Sequence, residues 1–214
     1  MEALTKFAST FHEDQVITVI LEDGGCFNVQ KAVLHNASSF FVEILDREDI
    51  NQLEIRCPTG AFELFLYWLC NLKLPALSKH LEECHVDDFD EMNDDIQVRL
   101  VQLWVCAGSW LMTSLQNAAM RALLKVLEGR YVVLAAVKTA FELSAPDSPI
   151  VSVMLREFVH QCEDSEDFLN STEMEELGKL PGFLAAFIGK VLSHKGNQPL
   201  ASSVNSEDEQ MFMV

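Results

Sequence analysis

The sequence is short of positive charge and of long apolar runs. It has 15 Lys and Arg residues against 33 Asp and Glu residues, which gives a formal net charge of −18. Such a charge repels phosphate backbones and anionic lipid surfaces, so we expect neither a nucleic-acid partner nor a membrane partner. The strongly apolar stretches 131–137 and 183–188 are well short of the roughly 20 residues that a membrane-spanning helix needs.

Clustered cysteines and an export signal are also missing. The six cysteines are spread along the chain without a Cys-x-x-Cys pair. Residues 1–11 lack the uninterrupted apolar run and the small-residue cleavage site of a secretory signal. We therefore expect an intracellular protein, cytoplasmic or nuclear, with reduced thiols. Cys70 and Cys106 stand among apolar neighbours, which favours free thiols in the core over reactive ones.

The sequence offers no motif for catalysis or for cofactor binding. No glycine-rich run followed by Lys-Ser or Lys-Thr provides a phosphate loop. His80, Cys84 and His85 lie close together, but a structural zinc ion needs four converging ligands. Residues 87–95 lack both the alternating oxygen ligands and the glycine of a calcium loop. We therefore predict that the protein is not an enzyme and has no cofactor and no metal site.

The first part of the chain is patterned as a small sheet with short helices. A β-branched run at 16–21, a Glu-Asp-Gly-Gly turn and an alternating run at 26–29 predict a β-hairpin. Apolar positions recur at spacings of three and four over 31–45, which predicts two short helices. Residues 53–57 alternate apolar with charged side chains, so we predict a third strand with one face in water.

A helical pattern follows, interrupted by an acidic segment. Residues 61–72 are apolar around nearly the whole helical circumference, which predicts a helix buried on most sides with Phe65 and Trp68 as core anchors. The acidic residues 78–95 predict a solvated loop. Helical periodicity returns at Ile96, and a helical hairpin is expected to close the domain by residue 128.

Residues 129–192 predict a helical C-terminal extension. Ser148 and Pro149 are a cap and a first-turn proline, and Pro181 is expected to open a last helix. The side chains that this last helix should turn inward are Phe183, Leu184, Phe187, Ile188 and Val191. The polar and acidic residues 193–214 predict a disordered tail, whose end, Met211 to Val214, is either a short docking motif or a frayed terminus.

In this order, the elements and their residues resemble the BTB/POZ family over about residues 13–128. The segments that carry the likeness are Asp14-x-Val16-x-x-Val19, Phe27-x-Val29-x-Lys31-x-x-Leu34, Ser38-x-Phe40-Phe41, Glu54-Ile55 and Phe62-Glu63-Leu64-Phe65-Leu66-x-Trp68-Leu69. Residues 137–158 resemble the helical extension of fungal BTB proteins. Two features depart from the family pattern: Gln30 occupies a position where a histidine is usual, and the acidic segment 78–95 is longer than the common connection.

The resemblance implies an α+β fold, a BTB/POZ-type small sheet capped by helices and followed by an all-helical extension. The expected division is an N-terminal segment 1–12, a domain 13–128, an extension 129–192 and an acidic tail 193–214. The implied function is protein–protein interaction, because BTB-type domains act through their surfaces. Protein partners, including a second copy of the chain or a cullin, are therefore expected.

The resemblance also implies where a homodimer would form. Leu4, Phe7 and Phe11, before the first strand, would pack together with Ala32 and Val33 of the first helix across a two-fold axis. The alternative is that Phe7 and Phe11 fold back on their own domain.

Many family members recruit the cullin scaffold of a ubiquitin ligase through a hydrophobic-x-acidic motif after the second helix, and Ile44-Leu45-Asp46 is the nearest match here. The alternative is that Ile44 and Leu45 complete the inward stripe of that helix while Asp46 ends it. Two functions remain open. One is a substrate adaptor for a cullin-type ubiquitin ligase, and the other is a self-associating structural or scaffolding protein without a ligase connection.

Overall fold

A three-stranded mixed sheet begins the fold. The computed structural model describes residues 15–47, 50–83, 89–128, 130–164, 171–196 and 212–214. The strands are β1 (Val16–Leu21), β2 (Cys26–Gln30) and β3 (Gln52–Ile55), in the order β2-β1-β3. β1 runs antiparallel to β2 and parallel to β3. The predicted hairpin and third strand are therefore confirmed.

Helices account for most of the other described residues. The first group comprises α1 (Lys31–His35), α2 (Ser39–Leu45), α3 (Thr59–Asn71), α4 (Leu77–Glu83), α5 (Phe89–Ser109) and α6 (Thr113–Leu127). The second group comprises α7 (Leu134–Leu143), α8 (Pro149–Asp164), α9 (Ser171–Gly178) and α10 (Phe183–Gly196). The molecule is thus α+β with a small sheet, as predicted. None of the described helices combines the length and the apolar character that crossing a membrane requires.

The β1–β2 turn is fastened to the start of α3. Asp23 accepts hydrogen bonds from the backbone N–H of Thr59 and from its hydroxyl, both at 2.7 Å, and from the N–H of Gly25 at 3.2 Å. The Thr59 bonds hold the pKa of Asp23 below its usual value, because they stabilise the carboxylate. A Cβ at Gly25 would lie 2.1 Å from the Thr59 hydroxyl oxygen, so this approach requires glycine.

The core of the first part surrounds Trp110. The ring centroids of Phe65 and Phe41 lie 4.8 and 5.7 Å from that of Trp110, and Phe62 meets it edge-on. Trp68 is only half-buried, and Glu63 and Cys70 of α3 face the solvent. The prediction that this helix is buried on most sides, with Trp68 as an anchor, is therefore wrong. Its apolar side chains outside the buried face pack at the edge of the core instead.

The acidic segment is largely helical, so the prediction of a loop over 78–95 is wrong wherever the structure describes it. α4 occupies 77–83 and α5 begins at Phe89, while residues 84–88 lie outside the described residues. Asp90 and Glu91 stand in the first turn of α5, where the helix dipole favours negative charge. Asn93 is a buried polar residue in this stretch. It interrupts the apolar stripe that would have indicated an earlier start of the helix.

Two leucines end helices in the left-handed conformation. Leu72 closes α3 with a φ of 53°, and its N–H donates to the Trp68 carbonyl at 2.7 Å. Leu111, with a φ of 58°, turns the chain between α5 and α6. The chain thus reverses just after α5 ends at Ser109. Glycine is the usual residue in this conformation, so both turns carry backbone strain.

The extension has a second aromatic core. Phe183 meets Phe141 and Phe158 at centroid distances of 5.3 and 5.9 Å, and it stacks on Phe187 at 5.7 Å. At the start of α8, the Val151 N–H donates to the Ser148 hydroxyl at 3.4 Å, so the predicted cap before Pro149 is confirmed. α9 was not predicted.

One side of the last helix, α10, is more exposed than predicted. Leu184 and Ile188 are 49% and 55% exposed, so their predicted inward orientation is wrong. α10 contacts α8 and α9 through a narrow stripe that includes Phe183 and Phe187, and the neighbouring positions therefore face outward.

The extension is joined to the first part through α5, which packs against both α6 and α7. Gln97 of α5 is completely buried at this junction. Its amide nitrogen donates to the Asn93 side-chain oxygen at 3.1 Å and to the Tyr131 carbonyl at 2.9 Å, and its oxygen accepts the Val133 N–H at 3.1 Å. The connector before α7 is thereby hydrogen-bonded into the first part of the molecule.

The structure departs from the predicted disordered tail, residues 193–214, both where the tail begins and where it ends. α10 continues to Gly196 rather than ending before Ser193, and the last three residues lie against the folded part, with Phe212 buried. The prediction of disorder for residues 197–211 lies outside the described residues.

Candidate functional site

The predicted scaffold-binding motif lies at the exposed end of α2. Leu45 is completely buried, Ile44 is half-buried, and the Asp46 side chain is 64% exposed. The Asp46 carboxylate lies 3.0 Å from the His35 ring nitrogen of α1. Ile44 also packs against the core, so Asp46 is the most exposed of the three side chains. Ile44 and Leu45 thus complete the inward stripe of α2, and only part of Ile44 remains accessible to a partner.

The predicted dimer residues are only partly described. Leu4, Phe7 and Phe11 lie outside the described residues. Ala32 is 8% exposed and Val33 is half-buried against the core. Of this pair, Val33 therefore has the larger surface to offer to a second copy, and Ala32 mainly packs within its own domain.

A cleft with a positive lining lies between the end of α3 and α6. Its volume is about 540 Å³, and its walls come from Tyr67, from residues 72–78 and from one face of α6. The charged side chains in its lining are Lys73, Arg121 and Lys125, all cations. In a chain of net charge −18, this local excess of positive charge favours an acidic or anionic contact.

The described cysteines include a buried pair, an exposed pair and the half-buried Cys162. Cys57 and Cys106 are buried next to each other, and their interaction, together with burial, strongly raises the pKa of the Cys57 thiol. Cys57 therefore stays protonated and unreactive. Cys26 and Cys70 are exposed, so the expectation of a core thiol is wrong for Cys70 and right for Cys106.

Of the three clustered residues with metal-ligating side chains, His80, Cys84 and His85, the structure describes one. His80 lies near the end of α4, whereas Cys84 and His85 are outside the described residues. Within the described ranges, no three His, Cys, Asp or Glu side chains are grouped so that they could hold a metal ion.

An apolar stripe runs along the outside of α10. Leu184, Ile188 and Leu192 recur at intervals of four residues, which places them on one face of a helix, and each is about half exposed or more. Such a repeat on the surface of the extension is a candidate contact face for another protein.

The last three residues are held by side chains of two helices. Asn117 of α6 pairs with the backbone of Val214, donating to its carbonyl at 3.0 Å and accepting its N–H at 2.9 Å. Arg156 of α8 places its guanidinium carbon 5.0 Å from the centre of the Phe212 ring, and Arg121 contacts the Met213 sulfur at 3.8 Å. We call Asn117, Arg121 and Arg156 the tail clamp.

The tail clamp was missed at the level of sequence because its residues lie far apart in the chain. The available signal was Arg156, a charged residue within the apolar repeat of α8, whose side chain is only 13% exposed. A cation buried in this way requires partners, and an aromatic face is a suitable one.

No family model matches this chain, and no match is found among the curated proteins.

Proposed function

We propose that this chain is a protein-interaction module of the BTB/POZ type that acts as an adaptor for a cullin-type ubiquitin ligase. The first part would bind the scaffold, and the extension would select the client. In this proposal the protein carries out no catalysis, and its outer surfaces perform its function.

The accessibility of the α2 end is the observation that carries the proposal. Asp46 is exposed and Ile44 is partly exposed on either side of the buried Leu45, and this arrangement is compatible with a hydrophobic-x-acidic contact. The element order supports the same assignment, because a hairpin, two short helices, a parallel third strand, a core helix and a helical pair follow one another.

The test is binding of the full chain to the amino-terminal domain of a cullin. We expect Ile44→Glu and Asp46→Arg to reduce the affinity at least tenfold, because each removes one accessible half of the motif. Leu45 is unsuitable as a test position, since its replacement would create a cavity in the core. Glu43→Arg is the matched control, because Glu43 is exposed on the same helix and the charge change is the same. A wild-type chain that binds none of the cullins tested contradicts the adaptor proposal.

The alternative function is self-association without a ligase connection, and the stripe on α10 favours it. Leu184, Ile188 and Leu192 would meet the same stripe of a second copy across a two-fold axis. Light scattering should then give a dimer for the wild type and a monomer for Ile188→Glu. Leu143→Glu, at another exposed apolar position of the extension, should remain a dimer. A monomeric wild type at micromolar concentration eliminates this alternative.

A further inference from the structure

The last three residues occupy a surface that has the features of a peptide-binding site. A single Asn117 amide forms both a donor and an acceptor bond with the backbone of Val214. An amide side chain that pairs with N–H and C=O in this way reads the main chain, whatever side chain the residue carries. The Asn117 contact is therefore not restricted to valine.

Selectivity comes from the buried ring. Phe212 is 5% exposed, although it lies only two residues from the exposed Val214. Its ring faces the guanidinium of Arg156, whose Nε also donates to Glu157 at 2.9 Å. Cation–π contacts are stronger when the cation is desolvated, as Arg156 is here. The pocket thus favours an aromatic side chain two residues before the residue that Asn117 holds.

We propose that the tail clamp is a binding site for linear peptides that carry an aromatic residue two positions before the residue whose main chain Asn117 holds. Such peptides would be contributed by a partner protein, and residues 212–214 of the chain fill this site in the free protein. The resident segment is tethered through residues 197–211 to the end of α10. A tethered ligand acts at an effective concentration in the millimolar range, so a partner's peptide must compete with it. The inference does not depend on the proposed function, because it involves α6 and α8 rather than α2.

The test uses a fluorescein-labelled peptide of residues 206–214 (SEDEQMFMV), followed by fluorescence anisotropy. We expect saturable binding to a chain truncated after Gln210 and at least tenfold weaker binding to the full chain, whose own tail occupies the clamp. The full-length Phe212→Ala chain provides a second test that needs no truncation. It removes only the buried ring and should bind the peptide better than the wild type does.

Variants of the site and of the peptide separate clamp binding from non-specific attachment. In the truncated chain, Asn117→Ala should weaken binding about tenfold and Arg156→Gln about fivefold. A peptide with alanine in place of its phenylalanine should bind with at least tenfold lower affinity. Asn71→Ala is the control, because Asn71 is exposed and its side-chain amide bonds within its own helix.

Two results overturn the proposal. The first is a truncated chain that keeps its helical circular dichroism and yet fails to bind the peptide, or binds it no better than the full chain does. The second is light scattering that shows a dimer for the full chain and a monomer for the truncated one. In that case a second copy fills the clamp, and the resident ligand is not the chain's own.

Discussion

Individual polar residues fix the connections between elements in this molecule. Asp23 joins a hairpin turn to α3, and Gln97 joins α5 to the connector that precedes α7. Both act on backbone groups that regular secondary structure leaves without partners, which explains their effect on the fold. In the sequence, Asp23 stood out only as part of the hairpin turn, and Gln97 did not stand out. An aspartate in a turn and a glutamine in a helix are ordinary residues until the partner segment is known.

Replacing Gln97 with methionine should destabilise the protein by about 2–6 kcal/mol. The substitution keeps a similar volume but leaves the Tyr131 carbonyl and the Val133 N–H without their partner, and each such buried group costs about 1–3 kcal/mol. Urea unfolding followed by circular dichroism measures the change. Gln102→Met is the matched control, since Gln102 is half-buried on the same helix. If Gln97→Met lowers the free energy of unfolding no more than the control does, the role given to this amide is wrong.

Asp23→Ala should lower the thermal unfolding midpoint at pH 7, and this difference from the wild type should be smaller at pH 3. The pKa of Asp23 is lowered in the folded state by its bonds to Thr59. Its contribution is therefore present above the unfolded-state pKa of about 3.9 and disappears as the pH falls through the lower folded-state pKa. Glu22→Ala, in the same turn, controls for general charge effects. An equal difference from the wild type at both pH values would show that Asp23 does not act through its charge.

At the scale of elements, apolar periodicity predicted most of the fold. The hairpin, α1, α2, β3 and the capped α8 follow from local pattern and turn chemistry, because these signals lie within a few residues of one another. The error over residues 78–95 has a physical cause. The start of α5 exposes acidic side chains, among them Asp94 and Asp95, and turns the polar Asn93 and Gln97 inward, so composition alone resembled a solvated loop.

The candidate surfaces were less predictable than the helices. Ile44, Leu45 and Asp46 were identified from their spacing, and the coordinates show Leu45 buried on the inward side of α2, as the alternative interpretation expected. The exposed stripe of α10 was assigned to the core, because an apolar residue on a helix does not reveal which side its neighbours cover. The tail clamp brings together residues 117, 121, 156 and 212–214, and a contact between such distant positions leaves no local signal.

At the scale of the whole molecule, the two aromatic cores should unfold together. Phe158→Ala in the extension should cost about 3–5 kcal/mol, because Phe158 is completely buried. The three tryptophans, Trp68, Trp104 and Trp110, all lie in the first part of the chain, so their fluorescence reports on that part alone. We expect the urea midpoint from fluorescence to fall as far as the midpoint from circular dichroism.

Leu143→Ala is the control for that measurement, since its exposed side chain should change both midpoints little. A circular dichroism midpoint that falls while the fluorescence midpoint stays constant would show that the extension unfolds independently. The junction around Gln97 would then be too weak to couple the two cores.

The buried junction at Gln97 also has a geometric consequence. A protein attached at the end of α2 and another attached to the extension would be held at a constant distance and angle, because the connector between the two attachment points is fastened along α5. The chain would then act as a rigid spacer. A substitution at the junction could misalign two bound proteins while leaving the affinity for each of them unchanged.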